Sequence, residues 1–331
     1  MSDYRPPLED IRLVLDEISD ISAICDLPGY EHVDPETVDS VLDELGRFVA
    51  EVVAPVNRIG DEEGCTVTDG VVTTPEPFGA AWDKFVEAGW GAVSQDPDYG
   101  GGGFPGAVQT VMTEMIATAS RAWSMGPMLT VGALDALHAF AGEDLKETYL
   151  PRMVSGQWSG TMNLTEPQAG SDVGALTTRA VPQDDGSYRI FGTKIFITFG
   201  EHELTENIIQ LVLARTPDSP PGTKGISLFV VPKYLVDDDG NLGARNDYRC
   251  LSVEHKLGLH ASPTCVLSYG DAGMGATGFL VGEEHQGMRY MFKMINNARL
   301  GVGVEGLAVT ERALQQAADY AIERRQGRAI G

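Results

Sequence analysis

The segment NLTEPQAGSDVGA, from Asn163 to Ala175, follows a short strand-like stretch and carries the strongest local signal in the chain. Gly170 would let the backbone approach a ligand closely, and the hydroxyl groups of Thr165 and Ser171 can donate hydrogen bonds. Neighbouring backbone N–H groups can hold an anion or a ring carbonyl. The same residues would also make a good surface turn. Composition alone therefore leaves both a ligand loop and a surface turn open.

Hydrophobic spacing on either side of this segment predicts a change of secondary structure. Residues 35–157 show helical spacing, as in ETVDSVLDELGRFVAEVV, and Asp34 is a predicted N-cap for that stretch. Residues 158–281 contain short β-branched and aromatic runs separated by turn residues, which predicts an antiparallel β-barrel or sandwich. Residues 1–34 are interpreted as an N-terminal extension of the helical part.

The last part, residues 282–331, returns to helical spacing. The pattern predicts one helix from Gly287 through Arg325, of about forty residues, which is too long to stand without partner helices on its apolar face. No further helical segment follows it in the sequence. We therefore expect a truncated third domain, and the whole chain to be a multi-domain α and β protein.

The glycine run Gly100–Gly103 permits two interpretations. It could hold a phosphate, but no apolar strand precedes it and no Lys-Ser/Thr pair follows it. A turn between helices is the better prediction.

Composition excludes several classes of protein. The chain has 48 acidic and 24 basic residues and a net charge of −24, which opposes binding to nucleic acid. It shows neither a secretory signal nor a run of ~20 apolar residues, so we expect a cytoplasmic protein without a membrane span. The spacing of its four cysteines and six histidines matches no metal site, so no metal is expected.

Three segments resemble the acyl-CoA dehydrogenase family. LTEPQAGSD is similar to the family's signature loop, although Asn163 departs from the usual small residue before it. GTKIFITFG at 192–200 resembles the strand that faces the flavin, and MFKMINNARLGVGVEGLAVTERALQQAADYAIERRQGRA resembles the start of the C-terminal helical domain. Taken alone, an aromatic and an aliphatic residue in such a strand are more often ordinary core. The resemblance extends over nearly the whole chain and is strongest to the branch of longer enzymes around 3-methylmercaptopropionyl-CoA dehydrogenases.

The resemblance implies FAD as the cofactor and an acyl-CoA as the substrate. It also implies transfer of electrons to an electron-transferring flavoprotein and assembly as a homodimer or tetramer. By the same resemblance, Arg324 would reach the FAD of an adjacent subunit. The residues implied for FAD in this subunit are Met162, Leu164, Thr165, Gly170, Ser171, Phe196, Ile197 and Thr198, and those implied for the substrate are Ser171, Asn296, Asn297 and Arg299.

Removal of the α-proton from a thioester requires a base. Some family members carry this base on the long helix immediately before the matched arginine, where this chain has Ala298. Glu305 and Glu311, further along the same helix, are poor substitutes. We therefore expect the base in a portion beyond Gly331, and no turnover by the 331 residues alone. Two alternatives of the same fold stay open: a DNA-associated alkylation-response protein, which the acidic composition opposes, and an acyl-CoA oxidase.

Overall fold

A computed structural model describes residues 4–237 and 239–328, so residues 1 and 331, the predicted outer limits of the first and last segments, lie outside the described residues. The helices are α1 (Leu8–Glu17), α2 (Ile21–Cys25), α3 (Pro35–Phe48), α4 (Ala54–Glu63), α5 (Glu76–Glu87), α6 (Gly106–Ala119), α7 (Arg121–Phe140), α8 (Glu143–Val154) and α9 (Gly287–Glu323). The strands are β1 (Thr66–Thr68), β2 (Val71–Thr73), β3 (Trp158–Asn163), β4 (Arg179–Pro182), β5 (Tyr188–Thr198), β6 (Asn207–Arg215), β7 (Ile226–Pro232), β8 (Tyr234–Val236), β9 (Leu242–Arg245), β10 (Tyr248–Val253), β11 (Thr264–Tyr269) and β12 (Ala276–Leu280).

The first long helix begins where the sequence predicts. The Asp34 carboxylate accepts a hydrogen bond from the Thr37 N–H at 2.7 Å, and Pro35 occupies the first turn of α3. The N-cap prediction is therefore confirmed. The predicted helical run does not continue as a single α-helix, because a π-helical turn at Val49–Val53 separates α3 from α4. Pro55 follows directly and cannot donate a backbone hydrogen bond, which accounts for the interruption.

Residues 4–34 belong to the helical core. Ile11, Leu15, Ile21 and Cys25 of α1 and α2 are buried in the same cluster as the apolar faces of α3 to α7. The sequence interpretation assigned no element to this extension. The short hairpin β1–β2 was also not predicted, since its three-residue strands are too short to show an alternating pattern.

The glycine run Gly100–Gly103 forms a tight turn. The backbone N–H groups of all four glycines donate to backbone carbonyls of residues 92–97. A Cβ on Gly101 would lie 2.0 Å from the Gln95 carbonyl oxygen, so the close packing requires glycine there. With its amides already used, the run is not a phosphate cradle, and the predicted turn is confirmed.

The β region contains a ring of strands. β5 pairs with β12, β12 with β7, β7 with β6, and β4 closes the ring by pairing with both β5 and β6. β3 extends β6 on one side, while β11 and β10 extend β5 on the other. The expected antiparallel pairing holds for most neighbours, but β6 is parallel to both β3 and β4. The intervening β4 and β5 return the chain to the same end of the sheet before β6 begins.

Helix α9 has partners on one side. Its buried residues Met291, Met294, Glu305 and Ala308 face α6 and α7. The expectation of a long helix with no partner was therefore wrong for this side. The helix also exposes apolar side chains, namely Leu300, Val302, Leu307, Val309, Leu314 and Ile322.

Among residues 4–237 and 239–328, no helix combines the length and the apolar character that a membrane span requires.

Candidate functional site

A buried carboxylate organises the loop that follows β3. Glu166 is 2% exposed, and its two oxygens accept hydrogen bonds from the backbone N–H and hydroxyl of Thr177 and Thr178, from the Gln168 amide and from Lys194. The Lys194 Nζ to Glu166 Oε1 distance is 2.9 Å. A loop with so many internal bonds is held in one conformation.

The same ion pair connects the loop to β5. Lys194 Nζ also donates to the Leu164 carbonyl at 3.0 Å, and the Ile195 N–H donates to the Thr165 carbonyl at 2.9 Å. Lys194 is completely buried. The two segments that the sequence selected for the cofactor therefore lie side by side.

The pKa shifts favour the charged form of Glu166 but not that of Lys194, since burial lowers the pKa of Lys194 to about 8 against the opposing effect of Glu166. Burial opposes ionisation of Glu166, but Lys194 and the donors of Thr177 and Thr178 outweigh it and lower the pKa of Glu166 to about 2. Glu166 is therefore an ionised structural residue at neutral pH.

A bulge in β5 turns Phe196 outward. Two β5 residues, Ile195 and Phe196, lie opposite Val266 alone of β11. Phe196 has φ of 59°, which is rare for an aromatic residue, and its side chain is 57% exposed. An exposed, fixed aromatic ring is suited to stacking on a planar ligand.

The neighbouring predicted residues take different positions. Ile197 is 2% exposed and its side chain packs in the β-region core, so it cannot present that side chain at the surface without rearrangement. Thr198 is half-buried, and its carbonyl accepts from the Thr161 hydroxyl at 2.6 Å.

On the loop side, Gly170 and Ser171 are exposed, and no hydrogen bond of their backbone amides is found among the described residues. Met162, Leu164 and Thr165 are half-buried. Exposed amides at 170 and 171 remain available to a ligand.

A cavity of about 330 Å³ lies between the N-terminal helices and α9. Its wall is mostly apolar, and two of the predicted α9 positions, Asn297 and Ala298, line it. The Asn297 amide donates to Asp135 of α7, which lines the same cavity. Burial raises the pKa of Asp135. Asn296 and Arg299 are exposed outside this cavity, with the Arg299 guanidinium over the Phe292 ring.

The two glutamates considered as substitutes for a base differ in position. Glu305 lines the cavity, is 3% exposed and pairs with Arg121 at 2.5 Å. Burial raises its pKa against the opposing effect of Arg121. Glu311 is not part of the cavity wall and accepts from Gln315. Arg324 is exposed just after α9 ends, near the Tyr320 ring.

Sequence reasoning missed the Lys194–Glu166 pair, although a signal was present. The charged residues of LTEPQAGSD are Glu166 and Asp172, and that of GTKIFITFG is Lys194. Charges of this kind are usually paired when buried. No group of three His, Cys, Asp or Glu side chains among residues 4–237 and 239–328 is placed to bind a metal.

Known proteins match this chain in sequence and in fold. The model of the acyl-CoA dehydrogenase N-terminal domain matches residues 35–157, and that of the middle domain matches residues 161–272. The 3-methylmercaptopropionyl-CoA dehydrogenase of Ruegeria pomeroyi is 48% identical over 327 residues, which cover 99% of this chain and 55% of that protein.

Two solved structures are similar in fold. Butyryl-CoA dehydrogenase from Megasphaera elsdenii has a TM-score of 0.70 at 26% identity, covering 87% of this chain and 70% of that one. A chain in the structure described as the electron transferring flavoprotein of Acidaminococcus fermentans has a TM-score of 0.72 at 26% identity, covering 87% of this chain and 69% of that one.

The chain spans about half the length of the curated relatives it matches. The predicted family and branch agree with these matches, and so does the predicted order of a helical domain, a β domain and a C-terminal helix. With the N-terminal and middle domains present in sequence and in fold, the chain belongs to the acyl-CoA dehydrogenase family.

Proposed function

We propose that this chain forms the FAD-binding and acyl-CoA-binding part of a dehydrogenase that introduces an α,β double bond into an acyl-CoA thioester. The observation that carries the proposal is the side-by-side placement of the loop at 164–171 and the strand end at 194–198, held by the Lys194–Glu166 pair. FAD, when bound, supplies a hydride acceptor at N5 of its ring.

The residues present fit such a group. The exposed Phe196 ring offers a flat apolar surface, and the free amides of Gly170 and Ser171 are donors for the polar edge of a ring or a phosphate. Thr165 and Thr198 contribute hydroxyl groups, and Met162 and Leu164 contribute apolar contacts. Ile197 would contribute through its backbone, because its side chain is in the core.

The cavity beside α9 would hold the acyl group. It is enclosed mainly by apolar side chains, and Asn297 lies on its wall. Asn296 and Arg299 lie outside it on the same helix and would contact the CoA end together with Ser171. A cation such as Arg299 favours the phosphates of CoA.

Proton abstraction is the step that residues 1–331 would not perform. Ala298 has no proton-accepting group, Glu305 is held by Arg121, and Glu311 lies outside the cavity wall. We propose that the chain binds substrate without oxidising it, and that the base comes from a further part of a longer protein. We also propose an electron-transferring flavoprotein as the electron acceptor, cytoplasmic localisation, and assembly as a homodimer or tetramer in which Arg324 contacts the FAD of another subunit.

The decisive experiment is reconstitution with FAD. Purified 1–331 should bind FAD with a shifted, structured visible spectrum, and an acyl-CoA should perturb that spectrum. If the protein takes up no flavin even after refolding with excess FAD, the proposal fails.

A further inference from the structure

The cavity beside α9 adjoins a second cavity across a mainly polar stretch of wall. It shares four wall residues, Ser94, Gln95, Leu134 and Asp135, with this second cavity of about 410 Å³ on the other side of them. Three of the four carry polar side chains, in contrast to the aromatic and aliphatic residues that line much of the first cavity, such as Trp82, Phe85, Met112 and Met294. The second cavity adds Asp96, Tyr99 and His138 to this polar region.

The Asp135 carboxylate, in the shared wall, can accept a further hydrogen bond. Its Oδ2 accepts from the Asn297 amide, while no hydrogen bond to its Oδ1 is found among the described residues. Oδ1 is not one of the buried side-chain atoms that lack a hydrogen-bond partner, so it is accessible. It therefore faces open space in a residue that lines both cavities.

Ser94 lies in the same wall and its hydroxyl has no partner. Its Oγ is buried and makes no hydrogen bond within the described residues. A buried polar atom without a partner is unusual in a native protein and often indicates a missing ligand or water. A rotation about χ1 brings a serine hydroxyl to a different side of its Cβ, so Ser94 can serve a ligand at this wall.

We propose that this cavity selects acyl groups that carry an uncharged hydroxyl substituent, with Asp135 as the acceptor and Ser94 as the second partner. The inference rests on the proposed function, because it assigns the acyl group to this cavity. A hydroxyl group can donate to a carboxylate and accept from a second hydroxyl at the same time. An acyl group that ends in a carboxylate would instead be repelled by Asp135.

The test compares ligands that differ by one group. FAD-loaded 1–331 is titrated by calorimetry with 4-hydroxybutanoyl-CoA against pentanoyl-CoA, and with 5-hydroxypentanoyl-CoA against hexanoyl-CoA; in each pair a methyl group replaces the hydroxyl. At one of the two lengths the hydroxylated ligand should bind about fivefold tighter, as expected for one net hydrogen bond.

Variants of the two wall residues test whether these residues cause the preference for the hydroxylated ligand. Asp135→Leu and Ser94→Ala should each abolish the preference. Ser120→Ala is the matched control, because the Ser120 hydroxyl is also buried and without a partner but Ser120 does not line either cavity. It should leave the preference unchanged.

The outcomes distinguish a failure of this inference from a failure of the proposed function on which it rests. If the methyl ligands bind as tightly or more tightly at both lengths, or if the preference survives both wall variants, the selectivity is wrong while the acyl-CoA site stands. If FAD binds but none of the four thioesters does, the proposed acyl-CoA function itself is wrong.

Discussion

Lys194 Nζ lies 2.9 Å from Glu166 Oε1, and neither side chain reaches solvent to any useful extent. One ion pair therefore fixes the loop after β3 against β5. Removing one member leaves an uncompensated buried charge, which costs far more than a surface ion pair.

Replacing Lys194 should destabilise the fold and abolish flavin binding together. We expect Lys194→Met to lower the free energy of unfolding by about 3–5 kcal/mol, because Glu166 stays buried without its counter-charge. Lys224→Met, at an exposed position, is the control. Urea unfolding and FAD titration measure both effects. A loss below about 1 kcal/mol would show that the pair is not structural. The double variant Lys194→Met/Glu166→Gln should recover part of the loss.

Two substitutions at Phe196 separate the effect of backbone strain on stability from the effect of the ring on FAD binding. Both Phe196→Ala and Phe196→Gly remove the exposed ring, so both should weaken FAD binding. Only glycine relieves the positive φ, so Phe196→Gly should be more stable than Phe196→Ala by about 1 kcal/mol. At exposed Phe292 within α9, the order should reverse, since glycine is the poorer helix former by about 1 kcal/mol. Thermal unfolding of the four variants checks this, and equal stabilities at position 196 would contradict it.

Ala298 determines whether the chain can remove a proton. An acyl-CoA should bleach the flavin of wild-type 1–331 far more slowly than that of a full-length relative. Ala298→Glu places a carboxylate in the cavity wall and should raise the bleaching rate by about 10²-fold or more, the usual contribution of a positioned base. Ala313→Glu, exposed on the same helix, should not. Anaerobic stopped-flow absorbance measures the rate. Bleaching by the wild-type chain at the rate of a full-length relative would refute the expected lack of turnover.

His202 should make the fold sensitive to mild acid. Burial, with Lys233 nearby, lowers the pKa of His202 to about 3. His202 binds a proton below about pH 6.5 in the unfolded chain but not in the folded chain. It therefore causes no loss in the free energy of unfolding above that pH, and a growing loss as the pH decreases towards 3. Between about pH 7.5 and about pH 5 the loss is about 2 kcal/mol. His202→Gln should lose less over that interval, while His255→Gln, at an exposed site, should lose as much as wild type. Urea unfolding at both pH values measures the loss in each protein. Equal losses in all three proteins would contradict the assignment.

Periodicity predicted the elements that are long and half-buried. The capped start of α3, the extent of α9 and the change to strands after Trp158 follow from local spacing and caps. The outward turn of Phe196 could not be predicted in this way, because it depends on a bulge opposite Val266, which lies seventy residues away in the chain. Tertiary pairing, not local alternation, decides which side of β5 each residue faces.

For the candidate site, too, the sequence predicted the local segments but not the features that depend on tertiary packing. Motif resemblance selected the loop and β5 segments, and the structure places them together. It could not separate Glu305 from Glu311, since both were poor candidates on the same helix. Packing against α6 and α7 decides that Glu305 enters the cavity wall beside Arg121 and that Glu311 does not.

The Arg5 guanidinium bonds the Asp319 carboxylate at 2.7 Å, and the Arg5 backbone bonds the Gln315 side chain on the same helix. A ribosome makes Asp319 more than three hundred residues after Arg5. Arg5 therefore cannot take up these contacts until α9 has been synthesised. A pair of fluorescent labels at these two positions would report when the two segments come together.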